Sequence, residues 1–499
     1  MLAPPRSLAL LLSVSVLTGC AVGPDYRPPE TALSARFIGQ ESVEQREVQS
    51  QADLQAWWAA FDDPLLARFV SLALEQNLDI AQAAARVAQS RGSLRQADAA
   101  LLPSANVNAH GAEVYQSIET PLGQVLSATP DFDRSGSAYE ANLEAGWEVD
   151  MFGGLRRGRE AARAEYVASE AGAVATRLAV AAQTADVYVT IRGLQERLAI
   201  VRQQAETRRE LLDTIKFQYE KGIASELQVN QAEGALAQVE AQIPVLETGL
   251  DAAMNALDVL LGAQPGTYRA DLSLAEPIPV APGLAETGTP AEMIRRRPDL
   301  IVAERRLAAA NARIGVAMSE YYPKLSLGAL LGSATTISSG NLFSGDASQA
   351  QGVLGLRWRL FDFGRVEAQI AAARGQEAEA LAAYRLAVLR AAEEVENAFS
   401  SLVQREAQVG ILAQGEASLA RARENSLAAY EGGIVSLIEV LNADGNLLQV
   451  RDAKAQAQTE AARAAIASFR ALGGGWDAPH ASTNRLYSDL SITVDGDAK

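Results

Sequence analysis

The sequence is 499 residues long and 48% apolar, with 44 Lys and Arg against 61 Asp and Glu, a formal charge of −17 and a single cysteine. A surface this acidic repels phosphate backbones, and no basic cluster with interleaved aromatics offsets it, so nucleic acid is not an expected partner. One cysteine excludes an internal disulfide and a thiolate zinc site, and the two histidines, His110 and His480, form no metal-ligand spacing, so no metal is expected.

At the N-terminus, Arg6 precedes an uncharged apolar run from Leu8 to Leu17. That run is about half the roughly 20 residues a membrane-spanning helix needs, so residues 1–19 are expected to be a secretory signal. Leu17-Thr18-Gly19-Cys20 resembles a bacterial lipobox. It predicts cleavage before Cys20, with a diacylglyceryl group on the thiol and an acyl chain on the new amino terminus. No other cofactor is expected. Each buried CH₂ of such chains contributes about 0.8 kcal/mol to membrane binding. Ala21 follows Cys20 where an aspartate would favour retention in the inner membrane, so the outer one is favoured. Residues 20–63 read as a lipidated, extended segment. Beyond the leader every apolar stretch is broken by charge, so any membrane crossing must use strands.

The rest of the chain repeats itself. Asn77-Leu78-Asp79 recurs as Arg297-Pro298-Asp299 and Leu101-Leu102-Pro103 as Tyr321-Tyr322-Pro323, at a shift of 220. Trp147 recurs as Trp358, Phe152-Gly153 as Phe363-Gly364, Tyr219 and Gly222 as Tyr430 and Gly433, and Leu261-Gly262 as Leu472-Gly473, at a shift of 211. The drop of nine places the extra residues between Pro103 and Trp147, where a tolerant surface loop belongs. The first repeat is assigned to 64–262 and the second to 291–473, with a proline-rich connector at 263–290 and a tail at 474–499. Each repeat reads as a helix, a β-hairpin (about 104–150 and 324–362), a very long helix and a return helix.

The long helices are expected from about Leu155 to Lys221 and from Arg365 to Glu431, free of proline and 67 residues each. At 1.5 Å per residue each reaches roughly 100 Å, more than an ordinary globule holds. Steps of three and four along Val180, Val187, Ile191, Leu194, Leu198 and Val201 form a heptad seam, broken at Thr184 and Arg208. The second helix keeps the register but is broken at Arg405, Glu416 and Arg423, so both helices need neighbours on their flanks. In the strands, Leu354, Leu356, Trp358 and Leu360 alternate with Gly355, Arg357 and Arg359, and Ala141, Leu143, Ala145, Trp147 and Val149 alternate with Asn142, Glu144, Gly146 and Glu148. Alternation fits either a soluble sandwich or an outer-membrane barrel, and aromatics near the strand ends favour the barrel. Four strands cannot close a barrel, and open edges are not tolerated in hydrocarbon, so several chains must contribute.

The whole mature chain resembles the TolC-like outer membrane factors, in their lipoprotein OprM/NodT branch. The motifs are Cys20-Ala21-Val22-Gly23-Pro24-Asp25-Tyr26, Trp57-Trp58 with Phe61 and Asp63, and Arg296-Arg297-Pro298-Asp299 with Ala303-Glu304. The resemblance implies a mainly α fold with membrane β, in which a homotrimer forms a twelve-stranded barrel, four strands per chain, continuous with a periplasmic helical barrel. It implies an exit duct in the outer membrane, a periplasmic adaptor and an inner-membrane pump of the RND type as partners, and passive conduction. It also implies that the turns holding Gly222, Ile223 and Ser225 and Gly433, Ile434 and Ser436 form the adaptor-contacting tip. An acidic aperture is implied near Glu439 and Asn442, where Asn442 replaces the usual aspartate and Asp444 lies close by out of register. Ducts of ABC- or MFS-linked export or of type I secretion share these features. A structural coiled-coil lipoprotein would share the anchor and heptads but need no amphipathic strands. An enzyme is not expected, since no P-loop, nucleophile elbow or HExxH motif is present.

Overall fold

The computed structural model describes residues 21–30, 34–46, 51–284 and 289–476. The expected leader and Cys20 lie outside the described residues, as does the tail beyond Trp476. The chain divides into two compact units.

The first unit takes residues up to Pro29, Ala88–Ala168 and Glu304–Ala383. Its centre is one antiparallel sheet of β1 (Ser104–Tyr115), β2 (Ser135–Val149), β3 (Lys324–Thr335) and β4 (Ser348–Arg357), in that spatial order. The repeats therefore join through β2 and β3, while β1 and β4 are open edges. The register aligns Val107, Leu143, Leu331 and Ala350 in one row across all four strands. It aligns Trp147, Leu327 and Leu354 in another, and Val149, Leu325 and Leu356 in a third. Because side chains alternate along a strand, these rows share one face. The opposite face carries Asn106 beside Glu144, Asn108 beside Asn142 and Gln349, and His110 beside Glu140. The apolar face is uncovered: Val107 is 73% exposed and Leu331 59%.

Trp358 and Leu360, expected on the last strand, lie beyond it. β4 stops at Arg357 because its partner Lys324 is the first residue of β3, so the chain offers no further backbone to pair with. The extra residues of the first repeat form the longer β2 and a loop bearing a short helix, Pro121–Ser127, capped by Thr120. The indoles of Trp147 and Trp358 each donate at 3.0 Å to equivalent carbonyls, Leu101 and Tyr321. The segment after Cys20 is clamped to this unit. Val22 N donates to Phe152 O at 3.0 Å, and Arg157 donates to Val22 O, Gly23 O and the Asp25 carboxylate. Gly23 has φ +98°, and a Cβ there would lie 2.5 Å from the Cα of Gly315, so only glycine fits.

The second unit takes residues Glu30–Val87, Ser169–Ala303 and those from Tyr384 onward. The labelled helices of the two units are α1 (Pro64–Gln76), α2 (Leu78–Ala99), α3 (Gly154–Glu220), α4 (Glu226–Glu240), α5 (Ile243–Leu260), α6 (Pro290–Arg296), α7 (Pro298–Ser319), α8 (Arg365–Glu431) and α9 (Leu437–Ala471). Of these, α2, α3, α7 and α8 contribute residues to both units. The long helices α3 and α8 have 67 residues each and end within a residue of expectation. The first return helix is not continuous, as expected, but breaks at Ala241 and Gln242 into α4 and α5. Pro244 cannot donate to the preceding turn, whereas its counterpart in the unbroken α9 is Ala455. Residues 20–63 are likewise not wholly extended. Asp53 accepts from Gln55 N to start a 3₁₀ turn over Leu54–Phe61, which buries Trp57 in a stack on Phe469 at 5.4 Å.

The heptad seam of α3 packs Val201, Ala205, Leu212 and Ile215 against α4 and α5 and against Leu437 and Leu448 of α9. The polar interruptions have partners. Glu416 of α8 accepts from Arg451 and Lys454 of α9, and hydrogen bonding to Lys454 together with both cations holds its carboxyl below the ordinary value. On the other side of α9, Asp452 and Arg463 pair with Arg197 and Asp186 of α3 at 2.6 and 2.7 Å. Asn77 and Arg297, at equivalent places before α2 and α7, donate to equivalent last-turn carbonyls, Leu260 at 2.9 Å and Ala471 at 3.0 Å. No helix among the described residues is long and apolar enough to cross a membrane.

Candidate functional site at the hairpin turns

Both long helices end in the same hydrogen-bonded reversal. Gly222 N donates to Tyr219 O and Ile223 N to Gln218 O, each at 2.9 Å; Gly433 N donates to Tyr430 O and Ile434 N to Ala429 O, also at 2.9 Å. This is the Schellman arrangement, which needs a left-handed residue just past the helix, and Gly222 and Gly433 supply φ of +74° and +72°. Ser225 and Ser436 then start the return helices as N-cap residues. Gln228 reinforces the first start by accepting from Ser225 N at 2.9 Å. The reversals leave Ile223 76% and Ile434 81% exposed.

The turns converge on a groove of about 540 Å³, lined by Gln218, Ile223 and Ala224 from one hairpin and by Tyr430, Gly433 and Asp444 from the other. Burial raises the Tyr430 phenol above its ordinary value. Glu439 sits in the first turn of α9, where the helix dipole favours a carboxylate. Glu439 and Asn442 are exposed and share a face as an i, i+3 pair. Asp444 departs from the aperture expectation. It lies about 140° further round the helix at 100° per residue, and it is 1% exposed.

Asp444 instead accepts from Arg423 of α8 at 3.0 Å, and it bears electrostatically on Arg208 of α3. Arg208 donates to Ala235 O on α4 at 2.6 Å, and burial pulls its guanidinium below the ordinary value while Asp444 opposes that fall. Asp444 thus ties α9 to α8 through Arg423, with Arg208 of α3 within its electrostatic reach. This cluster was missed from sequence. Its signal was present as the breaks at Arg208 and Arg423, since a charge set into an apolar seam requires a countercharge on whichever helix faces it. Arg297 of the quoted motif is also placed. Burial disfavours its charge, yet bonds to Asp299 and Glu394 outweigh that and raise its pKa.

Known proteins share the sequence pattern and the fold. A family model described as "Outer membrane efflux protein" matches residues 69–263 and again 289–474, the two repeats. "Nodulation protein T" of Rhizobium leguminosarum bv. viciae is 30% identical over 485 residues, spanning 97% of this chain and 96% of its own. "Pyoverdine export outer membrane protein OpmQ" of Pseudomonas putida is 30% identical over 483 residues, spanning 95% and 98%. The solved structure of the outer-membrane channel OprN is 31% identical with a TM-score of 0.82, covering 91% of this chain and 99% of that one. With the family model matching most of its length in two tandem copies, this chain belongs to the outer membrane efflux protein family.

Proposed function

We propose that the chain works as a lipid-anchored homotrimer, the exit duct that carries small molecules from an RND-type inner-membrane pump and its periplasmic adaptor across the outer membrane. The observation that carries this reading is the sheet, whose uncharged face is uncovered and whose edges β1 and β4 are both open. In hydrocarbon an open edge strands its N–H and C=O groups, so the sheet must close with sister copies. Three copies make twelve strands, with the apolar rows toward lipid and the face of Glu140, Glu144 and Asn108 toward a wet lumen. The alternative of a purely structural coiled-coil lipoprotein does not account for that sheet.

Cargo chemistry is a property of the pump in this reading. The relatives' names span pyoverdine, toluene and solvents, which share no functional group that one wall could select. The exposed turn isoleucines, with Gly222, Ser225, Gly433 and Ser436 beneath them, would meet the adaptor, and Glu439 with Asn442 would line the periplasmic aperture.

The purified chain is expected to run as a trimer in detergent and to give ion conductance in planar bilayers with no energy source. A monomer without conductance would refute the duct. The anchor is tested separately: Cys20→Ser should abolish incorporation of radiolabelled palmitate, and unchanged labelling would remove the lipobox assignment. The clamp on residues 21–26 supports an anchor beside the sheet, since Val22 is bonded to Phe152, three residues past the end of β2.

A further inference from the structure

A ring of copies leaves open in what register one chain's edge meets the next, and the internal repeat carries that information. Within the chain the repeats are joined by β2 and β3, with Trp147 opposite Leu327 and Ala145 opposite Ala329. The counterpart of β2 at the 211 shift is β4, and the counterpart of β3 at the 220 shift is β1. Copies that all point the same way around a threefold axis can only join unlike edges, so β4 must meet β1 of the neighbouring copy, and this keeps the antiparallel alternation.

We propose that β4 pairs with β1 of the next copy in the register obtained by carrying the β2–β3 pairing across the repeat. Trp358 then stands opposite Val107, Leu356 opposite Ala109, and Leu354 opposite Gly111 of the neighbour. The inference rests on the trimeric duct.

Three independent features agree with it. First, these residues lie on the apolar faces of their strands, whereas a slip of one residue would turn one strand's greasy side into the lumen. Second, Trp358 and Leu360, 54% and 66% exposed, continue the alternation of β4 past its last partner in the chain. In the proposed register they meet Val107 and Ala105 of the neighbour, so the strand gains the length its sequence pattern calls for.

Third, the helices beside the sheet follow the same rule. In the chain, α7 covers α3: Ala308 and Ala309 pack on Ala164, Arg313 bonds Glu165 at 2.8 Å, and a Cβ on Gly315 would lie 2.7 Å from Arg157 Cγ. The counterpart of α7 is α2, whose only buried residue is Ala83. Carried across the repeat, α2 would cover α8 of the neighbour with Ala88 on Gly375, Ser93 beside Gln376 and Arg95 over Ala368, all exposed in the single chain. The large and small partners exchange sides, glycine under arginine becoming arginine over alanine, so the fit is kept while the sequence differs.

The test uses the full chain with pairs of introduced cysteines, oxidised in detergent after the particle mass is measured. In one chain Leu356 and Ala109 lie on opposite edges of the sheet, about 14 Å apart across the strands at 4.8 Å each and, because Ala109 shares its row with Ser348, a further 27 Å or so apart along them at about 3.4 Å per residue, too far for a disulfide. Any link must therefore join two copies. Leu356→Cys with Ala109→Cys should convert monomer to covalent trimer on denaturing gels, while Leu356→Cys with Val107→Cys and Trp358→Cys with Ala109→Cys, each slipped by two residues, should stay monomeric. A trimeric particle in which a slipped pair links, or in which no pair links, overturns the register and leaves the duct standing. A particle that is not trimeric overturns the duct itself.

Discussion

Leu331→Arg is expected to leave almost no assembled protein in the outer membrane, while Gln351→Arg on the opposite face should assemble nearly as well as the parent. Leu331 stands opposite Leu143 in the apolar row at mid-height of the sheet, and Gln351 stands opposite Leu330 on the face that carries Glu144. An arginine on the lipid face of a barrel costs about 2–4 kcal/mol near the bilayer midplane, and symmetry imposes that cost in every copy. On the lumen face the same side chain stays in water. The measurement is outer-membrane fractionation with electrophoresis of heated and unheated samples. Equal recovery of the two variants would mean that the apolar face does not meet lipid.

Asp444→Ala should destabilise the helical hairpins by about 3 kcal/mol, the lower end for breaking a buried ion pair, because Arg423 keeps partial access to water. The loss comes from stranding Arg423 and not from the pair's own strength, so Asp444→Leu combined with Arg423→Leu should recover much of it. Glu439→Ala, in the exposed first turn of the same helix, should cost at most about 1 kcal/mol from the helix dipole. Hydrogen exchange of α8 and α9 would report both variants. If Asp444→Ala proved as mild as Glu439→Ala, the carboxylate would be an ordinary solvated group and the tie between α8 and α9 would be absent.

The contrast between these two carboxylates shows how far the candidate site was legible. The family resemblance implied an aperture near Glu439 and Asn442, with Asp444 close by out of register. Which side of α9 is buried depends on where α3 and α8 lie, and no spacing within α9 contains that. The broken return helix is different, since Pro244 was visible and Ala455 at its counterpart position was too. There a local signal was present, and the similarity of the repeats outweighed it.

By itself the sequence determined what depends on neighbours along the chain. The shifts of 220 and 211 exposed the duplication, the proline-free heptads set the long helices to within a residue, and the period-two patterns sorted the strand faces. Tertiary structure alone decided what depends on who stands opposite: Arg423 choosing Asp444, Asn77 and Arg297 each capping a return helix, and β4 stopping at Arg357. The reason is physical. Periodicity is a property of one segment, whereas the partner of a buried charge or of a strand is chosen by the register of segments far apart in the chain.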